Sequence, residues 1–302
     1  MNNQLKFKPN RLISIDDIDI EDIQTLYNTS LEFEKVLNRP LKKVPALKEI
    51  TVANIFFEDS TRTRLSFELA QKRLSADVVN FSASSSSLKK GETLNDTIQN
   101  LLRMKIDIIV IRHKLSGTAN YVSQKTGIPV INAGDGTNEH PTQALLDLFT
   151  LWKNGYKNED LQILLKGDVI HSRVAGSSMK LWNKLGIKYT VFGPNTVQKK
   201  LKYGNLTQEL NKINVIYNLR IQKERQDKEL LPSLEEYNEF FGTKNSSEIE
   251  NMTIMHPGPI NRGVELDSEI ADNPKSLILD QVEMGVALRM AITYLLGQKK
   301  GG

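Results

Sequence analysis

Residues 55–67 read Ile-Phe-Phe-Glu-Asp-Ser-Thr-Arg-Thr-Arg-Leu-Ser-Phe. The apolar run 52–57 is short, as in a buried parallel strand, and the leucines at 65, 69 and 74 recur near helical spacing. A strand that turns into a helix presents backbone N–H groups at the positive end of the helix dipole, and the hydroxyls and guanidinium of residues 60–63 add further donors. The stretch therefore indicates an α/β fold with an anion site, although a serine cap followed by a surface arginine would explain it equally well.

The rest of the chain repeats this alternation of strands and helices. Short apolar segments at 77–81, 107–111 and 129–132 alternate with helical patterns in the first half, and strands at 161–165, 188–192, 215–219 and 253–255 do so in the second. The pattern predicts an α/β protein of two similar domains, each a parallel β-sheet flanked by helices. The active site is expected in the interdomain cleft, at the carboxyl ends of the strands.

Composition narrows the functional classes. The 302 residues include 40 Lys and Arg against 36 Asp and Glu, and this interspersed net charge of +4 suits small anionic substrates better than nucleic acid. The absence of cysteine excludes disulfides, thiolate zinc sites and a cysteine nucleophile. With neither a signal-peptide core nor an apolar run long enough for a bilayer, a cytoplasmic protein without membrane contact is expected.

Five further loops carry side chains suited to anions or to a polarised carbonyl. They are Arg112-His113, His140-Pro141-Thr142-Gln143, residues 167–173, residues 220–225, and His256-Pro257-Gly258-Pro259. Each also has a structural interpretation: Arg112 could pair with a carboxylate, His140 and the pair His171 and Ser172 could cap helices, and residues 220–225 could be a solvated charged segment.

Several chemistries lack their sequence signatures. There is no Gly-x-Gly-x-x-Gly after a strand, no Gly-x-x-x-x-Gly-Lys-Ser/Thr and no Gly-x-Ser-x-Gly. The four histidines show no metal-ligand spacing, so neither a catalytic metal nor a cofactor is expected. A site of fixed donors with few general bases remains.

Taken in order, these motifs resemble the aspartate/ornithine carbamoyltransferase family. The signature 57–67 is followed by Lys90-Gly91-Glu92-Thr93, by residues 111–113 and 132–136, and by His140-Pro141-Thr142-Gln143. The second half is similar to the aspartate-specific branch through His171-Ser172-Arg173-Val174-Ala175, residues 220–225 and residues 256–259. The resemblance implies a carbamoyl-phosphate domain at 1–143, onto which a C-terminal helix at 284–302 packs back, and an aspartate domain at 144–283.

The resemblance also implies a role for each matching residue. Carbamoyl phosphate would be bound by Ser60, Thr61, Arg62, Thr63, Ser86, Lys90, Arg112, His140, Gln143, Pro257 and Gly258. Aspartate would be bound by Lys90, Arg173, Arg220 and Gln222. The catalytic group would comprise Arg62, Thr63, Lys90, Arg112 and His140. In the family a serine and a lysine reach the site from a neighbouring subunit of a trimer; here they would be Lys90 and Ser86, with Ser87 as an alternative in the same serine run.

The implied reaction transfers the carbamoyl group of carbamoyl phosphate to the α-amine of L-aspartate, with release of phosphate, as the committed step of pyrimidine biosynthesis. Fixed cations and hydroxyls would stabilise the charge on the carbonyl oxygen and on the departing phosphate. The alternatives are an ornithine or N-acyl-ornithine carbamoyltransferase and a non-catalytic scaffold of a pyrimidine-pathway complex. The resemblance leaves open whether regulatory chains or dihydroorotase associate with the homotrimer.

Overall fold

The computed structural model describes residues 7–82, 93–197, 212–222, 233–244 and 249–300. The chain forms two compact units: unit 1 is Met1–Leu146 with Glu283–Gly302, and unit 2 is Asp147–Val282. The functional boundaries predicted at 143/144 and 283/284 stay predictions, as does the position of the site in a cleft.

Unit 1 is built on a parallel sheet of four strands in the order β2-β1-β3-β4. The strands are β1 (Thr51–Phe56), β2 (Asp77–Ser82), β3 (Ile108–His113) and β4 (Val130–Asp135). β1, β3 and β4 are buried almost throughout, as near-continuous apolar runs in a parallel sheet should be. Ile55, Ile109 and Val130 lie in one core cluster with Ile98 and Val122 from the flanking helices.

The helices of unit 1 follow the predicted alternation. They are α1 (Ile20–Leu37), α2 (Thr61–Arg73), α3 (Leu94–Arg103) and α4 (Thr118–Thr126), while α5 (Pro141–Lys153) begins in unit 1 and ends in unit 2. The sequence predicts that the first helix opens at Ser14. Instead Ser14 caps a short 3-10 turn, Ile15–Asp17, and the Asp19 carboxylate caps α1 by accepting from the Asp22 N–H. Two consecutive capping boxes made the true start ambiguous in the sequence.

Unit 2 repeats the same topology. Its parallel strands β5 (Gln162–Lys166), β6 (Lys188–Phe192), β7 (Val215–Asn218) and β8 (Thr253–Met255) lie in the order β6-β5-β7-β8. Its helices are α6 (Arg173–Leu185), α7 (Leu234–Phe241) and the short α8 (Ser268–Ala271). The prediction of two parallel sheets flanked by helices is confirmed.

The last helix, α9 (Ile278–Gly297), starts in unit 2 and belongs to unit 1 from Glu283 onward. Within unit 1, Arg289 of α9 donates from Nη1 to the Ser66 hydroxyl at 2.8 Å and stacks over the Phe67 ring at 5.0 Å. Phe33 and Tyr294 meet edge to face with ring centroids 5.5 Å apart. Among the described residues, no helix has both the length and the apolar character needed to cross a membrane.

Both sheets reverse their strand order at the centre, between β1 and β3 in unit 1 and between β5 and β7 in unit 2. Parallel strands end at one edge of the sheet, and loops that leave such a reversal in opposite directions open a crevice suited to ligands. The fold therefore places one candidate binding edge on each unit.

Candidate active site

The binding edge of unit 1 is formed by the loops after β1, β3 and β4. Phe56 at the end of β1 pairs with Arg112 of β3, and the Phe57 N–H donates to the Arg112 carbonyl at 2.9 Å. The signature residues 60–63 follow three residues after the end of β1, and α2 begins within them at Thr61. The sheet thus brings the predicted phosphate loop and Arg112 to the same edge.

The start of α2 favours anion binding over simple capping. Within the described residues the Ser60 side chain makes no capping hydrogen bond to the helix, so its hydroxyl is not committed to that role. Thr61 and Arg62 are exposed, whereas Thr63 is buried beneath them. The first turn of α2 thus carries hydroxyls, a guanidinium and helix N–H groups, which are the donors that bind phosphate.

Arg112, on β3, contacts both the loop after β1 and the neighbouring strand β4. Its Nη2 donates to Glu58 Oε1 at 2.9 Å, in the loop after β1, and its Nη1 donates to the Ala133 carbonyl at 3.4 Å, on β4. The Arg112 side chain is only 11% exposed, so solvent weakens the ion pair with Glu58 far less than it would a surface pair. The Arg112 side chain is therefore fixed by contacts within the protein.

Its neighbour His113, quoted in the same motif, has a structural role. The ring Nδ1 accepts a hydrogen bond from the Leu115 N–H at 3.0 Å, which requires an unprotonated nitrogen there. Burial, followed by the charge of Lys114, lowers the pKa of His113. These contacts give His113 a structural role in the turn that follows β3.

The loop after β4 carries His140 and Gln143, and two buried carboxylates hold it. Asp135 accepts from the Asn132 side chain at 2.8 Å and from the Gly117 N–H at 2.7 Å, while Glu139 accepts from the Ile15 N–H at 3.0 Å. His140 immediately precedes Pro141, the first residue of α5, and Gln143 lies one turn further on. Both side chains are buried, at 4% and 9% exposed, in a unit whose edge already carries Arg112.

The binding edge of unit 2 is organised by Asp168, which lies just after β5 and is fully buried. Its Oδ1 accepts from the His171 ring Nδ1 at 2.8 Å and from the His171 N–H at 3.2 Å. Its Oδ2 accepts from the Gln222 N–H at 3.3 Å, in the loop after β7. One carboxylate thus joins the two loops in which the sequence predicts the aspartate-binding residues.

Those residues lie at the ends of these loops. Arg173 begins α6 and is 3% exposed, and Ser172 caps the same helix by accepting from the Ala175 N–H at 3.2 Å, as its structural interpretation predicts. Arg220 donates from Nη2 to Gln222 Oε1 at 3.2 Å, so these two side chains are aligned with each other. Two guanidiniums on one unit are suited to the two carboxylates of a dicarboxylic acid.

The loop after β8 contains Pro257 and Gly258, both partly exposed. Gly258 has φ +68°, a conformation that other residues adopt only at a cost, which accounts for glycine at this position. Ser86, Ser87 and Lys90, together with Lys223, Glu224 and Arg225 of the motif after β7, lie outside the described residues.

Comparison with known proteins agrees with this geometry. Residues 10–153 match the model of the aspartate/ornithine carbamoyltransferase carbamoyl-P binding domain, and residues 159–296 match that of the Asp/Orn binding domain. The chain belongs to the aspartate/ornithine carbamoyltransferase family. The family resemblance inferred from the motifs, and with it the prediction of a carbamoyl-transferring enzyme, is confirmed.

Individual relatives lie on the aspartate side of this carbamoyltransferase family. The chain is 48% identical to the aspartate carbamoyltransferase catalytic subunit of Cytophaga hutchinsonii, over 99% of this chain and 100% of the relative. It is 50% identical to that of Flavobacterium psychrophilum, over 96% and 97%. Aspartate transcarbamoylase from Trypanosoma cruzi, solved in complex with N-(phosphonacetyl)-L-aspartic acid, aligns with TM-score 0.82 and 29% identity over 96% of both chains.

Reasoning from the sequence missed three carboxylates that shape these edges. Glu58 and Asp168 stand inside the quoted motifs but received no role, and Glu265, which contacts His256, lies beyond them. The only available signal was an acidic residue directly after an apolar strand, as in Gly167-Asp168. The donors that a carboxylate accepts from come from neighbouring strands. The order of the strands in the sheet cannot be read from the sequence.

Proposed function

We propose that this chain transfers the carbamoyl group of carbamoyl phosphate to the α-amine of L-aspartate, with Ser60, Thr61, Arg62, Thr63 and Arg112 binding the phosphate. The observation that carries the proposal is the convergence, at one sheet edge, of the uncapped Ser60 turn with an Arg112 held by Glu58 and Ala133. The fixed Arg112 guanidinium, the exposed Arg62 guanidinium and a helix start there would bind a dianionic leaving group.

The remaining residues have roles that follow from their chemistry. Thr63, Arg112 and His140 would donate to the carbonyl oxygen, where negative charge grows as the amine attacks. Gln143 and the backbone of Pro257 and Gly258 would contact the carbamoyl amide, and Arg173, Arg220 and Gln222 would bind the aspartate carboxylates. The amine must lose a proton during attack, and the departing phosphate is itself basic enough to accept it.

Lys90 and Ser86 complete the proposal in a homotrimer with shared sites, where each chain would supply them to its neighbour, with Ser87 as the alternative serine. Regulatory chains or dihydroorotase as additional partners, and a cytoplasmic location, stay predictions of the sequence. The native mass of the assembly in an extract of its own cells would test the trimer and its partners together.

The reaction is tested with purified protein by phosphate release from carbamoyl phosphate in the presence of L-aspartate, L-ornithine or N-acetyl-L-ornithine. Of the three acceptors, we expect only L-aspartate to support release, with a product whose mass is that of aspartate with one amine hydrogen replaced by a carbamoyl group. Faster release with either ornithine substrate would overturn the choice of acceptor. Release with none of the three would favour a non-catalytic scaffold.

A further inference from the structure

The turn after β8, residues 256–261, is held by a buried histidine whose ring is hydrogen-bonded on both sides. Gly258 donates its N–H to His256 Nδ1 at 2.8 Å. Because Nδ1 accepts, the proton of the neutral ring lies on Nε2, which faces Glu265 Oε1 at 3.1 Å. The two contacts together select the Nε2–H tautomer of His256.

Glu265 connects this ring to the far end of the turn. The same oxygen, Oε1, also accepts from the Asn261 N–H at 2.7 Å, and the residue is only 2% exposed. A buried carboxylate loses much hydration free energy, so its presence beside a candidate binding turn points to a role beyond packing. Its charge also reaches Tyr237, whose pKa is raised first by burial and then by Glu265 and Asp168.

A third contact fixes the backbone where the turn begins. The His256 N–H donates to Gln281 Oε1 at 3.1 Å, and Gln281 Nε2 donates to Asp147 Oδ1 at 2.6 Å. Asp147 also accepts from the Tyr217 hydroxyl through Oδ2. His256 is thus held at its backbone nitrogen and at both ring nitrogens.

These contacts determine the direction of one carbonyl. The Gly258 N–H that binds His256 belongs to the same planar peptide unit as the Pro257 carbonyl, and this bond is trans, since the cis bond of the turn is the next one, Gly258-Pro259. In a trans peptide the N–H and C=O point in opposite directions. With the N–H held by the ring, the Pro257 carbonyl must face away from His256.

We propose that Glu265, by holding the Nε2–H tautomer of His256, is a positioning residue that fixes the direction of the Pro257 carbonyl, the group to which the proposed function assigns the carbamoyl amide. This inference rests on the proposed function, because it is the proposed function that assigns substrate binding to Pro257. Without the Glu265 acceptor the ring can place its proton on Nδ1. A proton on Nδ1 would clash with the Gly258 N–H and remove its acceptor, so the Pro257-Gly258 peptide plane could rotate.

The test compares the Kd values of two ligands, one with an amide group and one without. Phosphonoacetamide carries both a phosphonate and an amide, whereas inorganic phosphate would engage only the proposed unit 1 residues. In Glu265→Ala we expect the Kd of phosphonoacetamide to rise about tenfold, the size of one lost hydrogen bond, while the Kd of phosphate stays within about twofold. Glu265→Gln keeps an oxygen acceptor for both donors and should bind phosphonoacetamide nearly as the wild type does.

A matched pair at His256 keeps the test decisive if Glu265→Ala does not fold. In His256→Asn the side-chain oxygen can still accept from the Gly258 N–H, whereas in His256→Gln the amide reaches Glu265 instead. We expect His256→Asn to keep phosphonoacetamide affinity and His256→Gln to lose about tenfold. Equal affinity in this pair, or equal weakening of both ligands in the variants, would overturn the inference.

Tyr156→Phe supplies the control for general destabilisation. Tyr156 shares a 2.6 Å hydrogen bond with Thr253 on β8, the strand that leads into the turn. This variant should lower the melting temperature without changing the ratio of the two Kd values. A change in that ratio as large as in Glu265→Ala would mean that the ratio reports stability alone.

A wild-type protein without aspartate-dependent phosphate release would contradict the proposed function, while an active wild type with unaffected variants would contradict only the inference.

Discussion

Asp168 accepts the Gln222 backbone N–H at 3.3 Å, so a carboxylate after β5 holds the loop after β7. The same side chain holds His171, two residues before Arg173. The two loops proposed to bind aspartate therefore share one buried acceptor. A change at Asp168 should therefore disturb both of these loops.

We predict that Asp168→Asn raises the KM for aspartate by about tenfold to a hundredfold, because the new amide presents a donor to one N–H and a neutral oxygen to the other. The KM for carbamoyl phosphate should change little. Steady-state kinetics with each substrate varied in turn checks this, with Asp160→Asn, an exposed carboxylate just before β5, as the control. Equal effects on both KM values would contradict the assignment of Asp168 to the aspartate loops.

Arg62 at the start of α2 should matter for activity and not for folding. It is exposed, and replacement of a surface side chain changes the free energy of unfolding by within about 0.5 kcal/mol. Arg62→Ala should lower kcat by about a hundredfold or more, as loss of one charge-stabilising donor does. Phosphate release and urea unfolding measure the two effects. Lys72→Ala, on the same helix and also exposed, should keep wild-type activity.

Shared sites predict complementation between two inactive variants. A 1:1 mixture of Arg62→Ala and Lys90→Ala chains, dissociated and reassembled, should recover about a quarter of wild-type activity, because each mixed trimer rebuilds one intact site. Neither variant alone should gain activity from the same treatment. If the mixture remains as inactive as its components, Lys90 acts within its own chain or has no role in the site.

The buried Lys166, at the end of β5, should make the free energy of unfolding of this protein depend on pH. Burial, followed by the charge of Lys244, lowers the pKa of Lys166 to about 8 from its ordinary 10.5. Between these values the unfolded chain binds the proton and the folded chain has released it, so the contribution of Lys166 to stability improves as the pH rises from about 8 to 10.5. Below pH 8 Lys166 is protonated in both the folded and the unfolded chain, so the folded protein bears the full free-energy cost of burying this cation.

Lys166→Met removes this titration and keeps the apolar stem. We expect the variant to be more stable than the wild type near pH 7 and to lose that advantage as the pH approaches about 10, a shift of roughly 3 kcal/mol at most. Urea unfolding at several pH values measures the difference. A difference that does not change with pH would show that Lys166 is solvated in the folded protein.

Several features were accessible from the sequence because they depend on neighbours along the chain. The strand and helix alternation, the turn at 60–63 and the loops after β3, β4, β5 and β7 were all predicted, because an apolar run followed by turn and donor residues needs no tertiary information. The helix cap at Ser172 is one of the two interpretations that the sequence leaves open, for the same reason. The ambiguous start at Ser14 shows the limit, since two capping boxes in succession satisfy the same local rule.

The stretch at 55–67 by itself determined a strand, a turn rich in donors and a helix, and left open whether Ser60 was a cap or a ligand. Only the tertiary structure decided that the Ser60 hydroxyl does not cap α2 and that Arg112 lies at the same sheet edge. Likewise, only strand order gave Asp168 a partner in Gln222 and only the folded turn gave His256 a partner in Glu265. A carboxylate's chemistry is set by the donors around it, and those donors come from strands that are neighbours in space and distant in sequence.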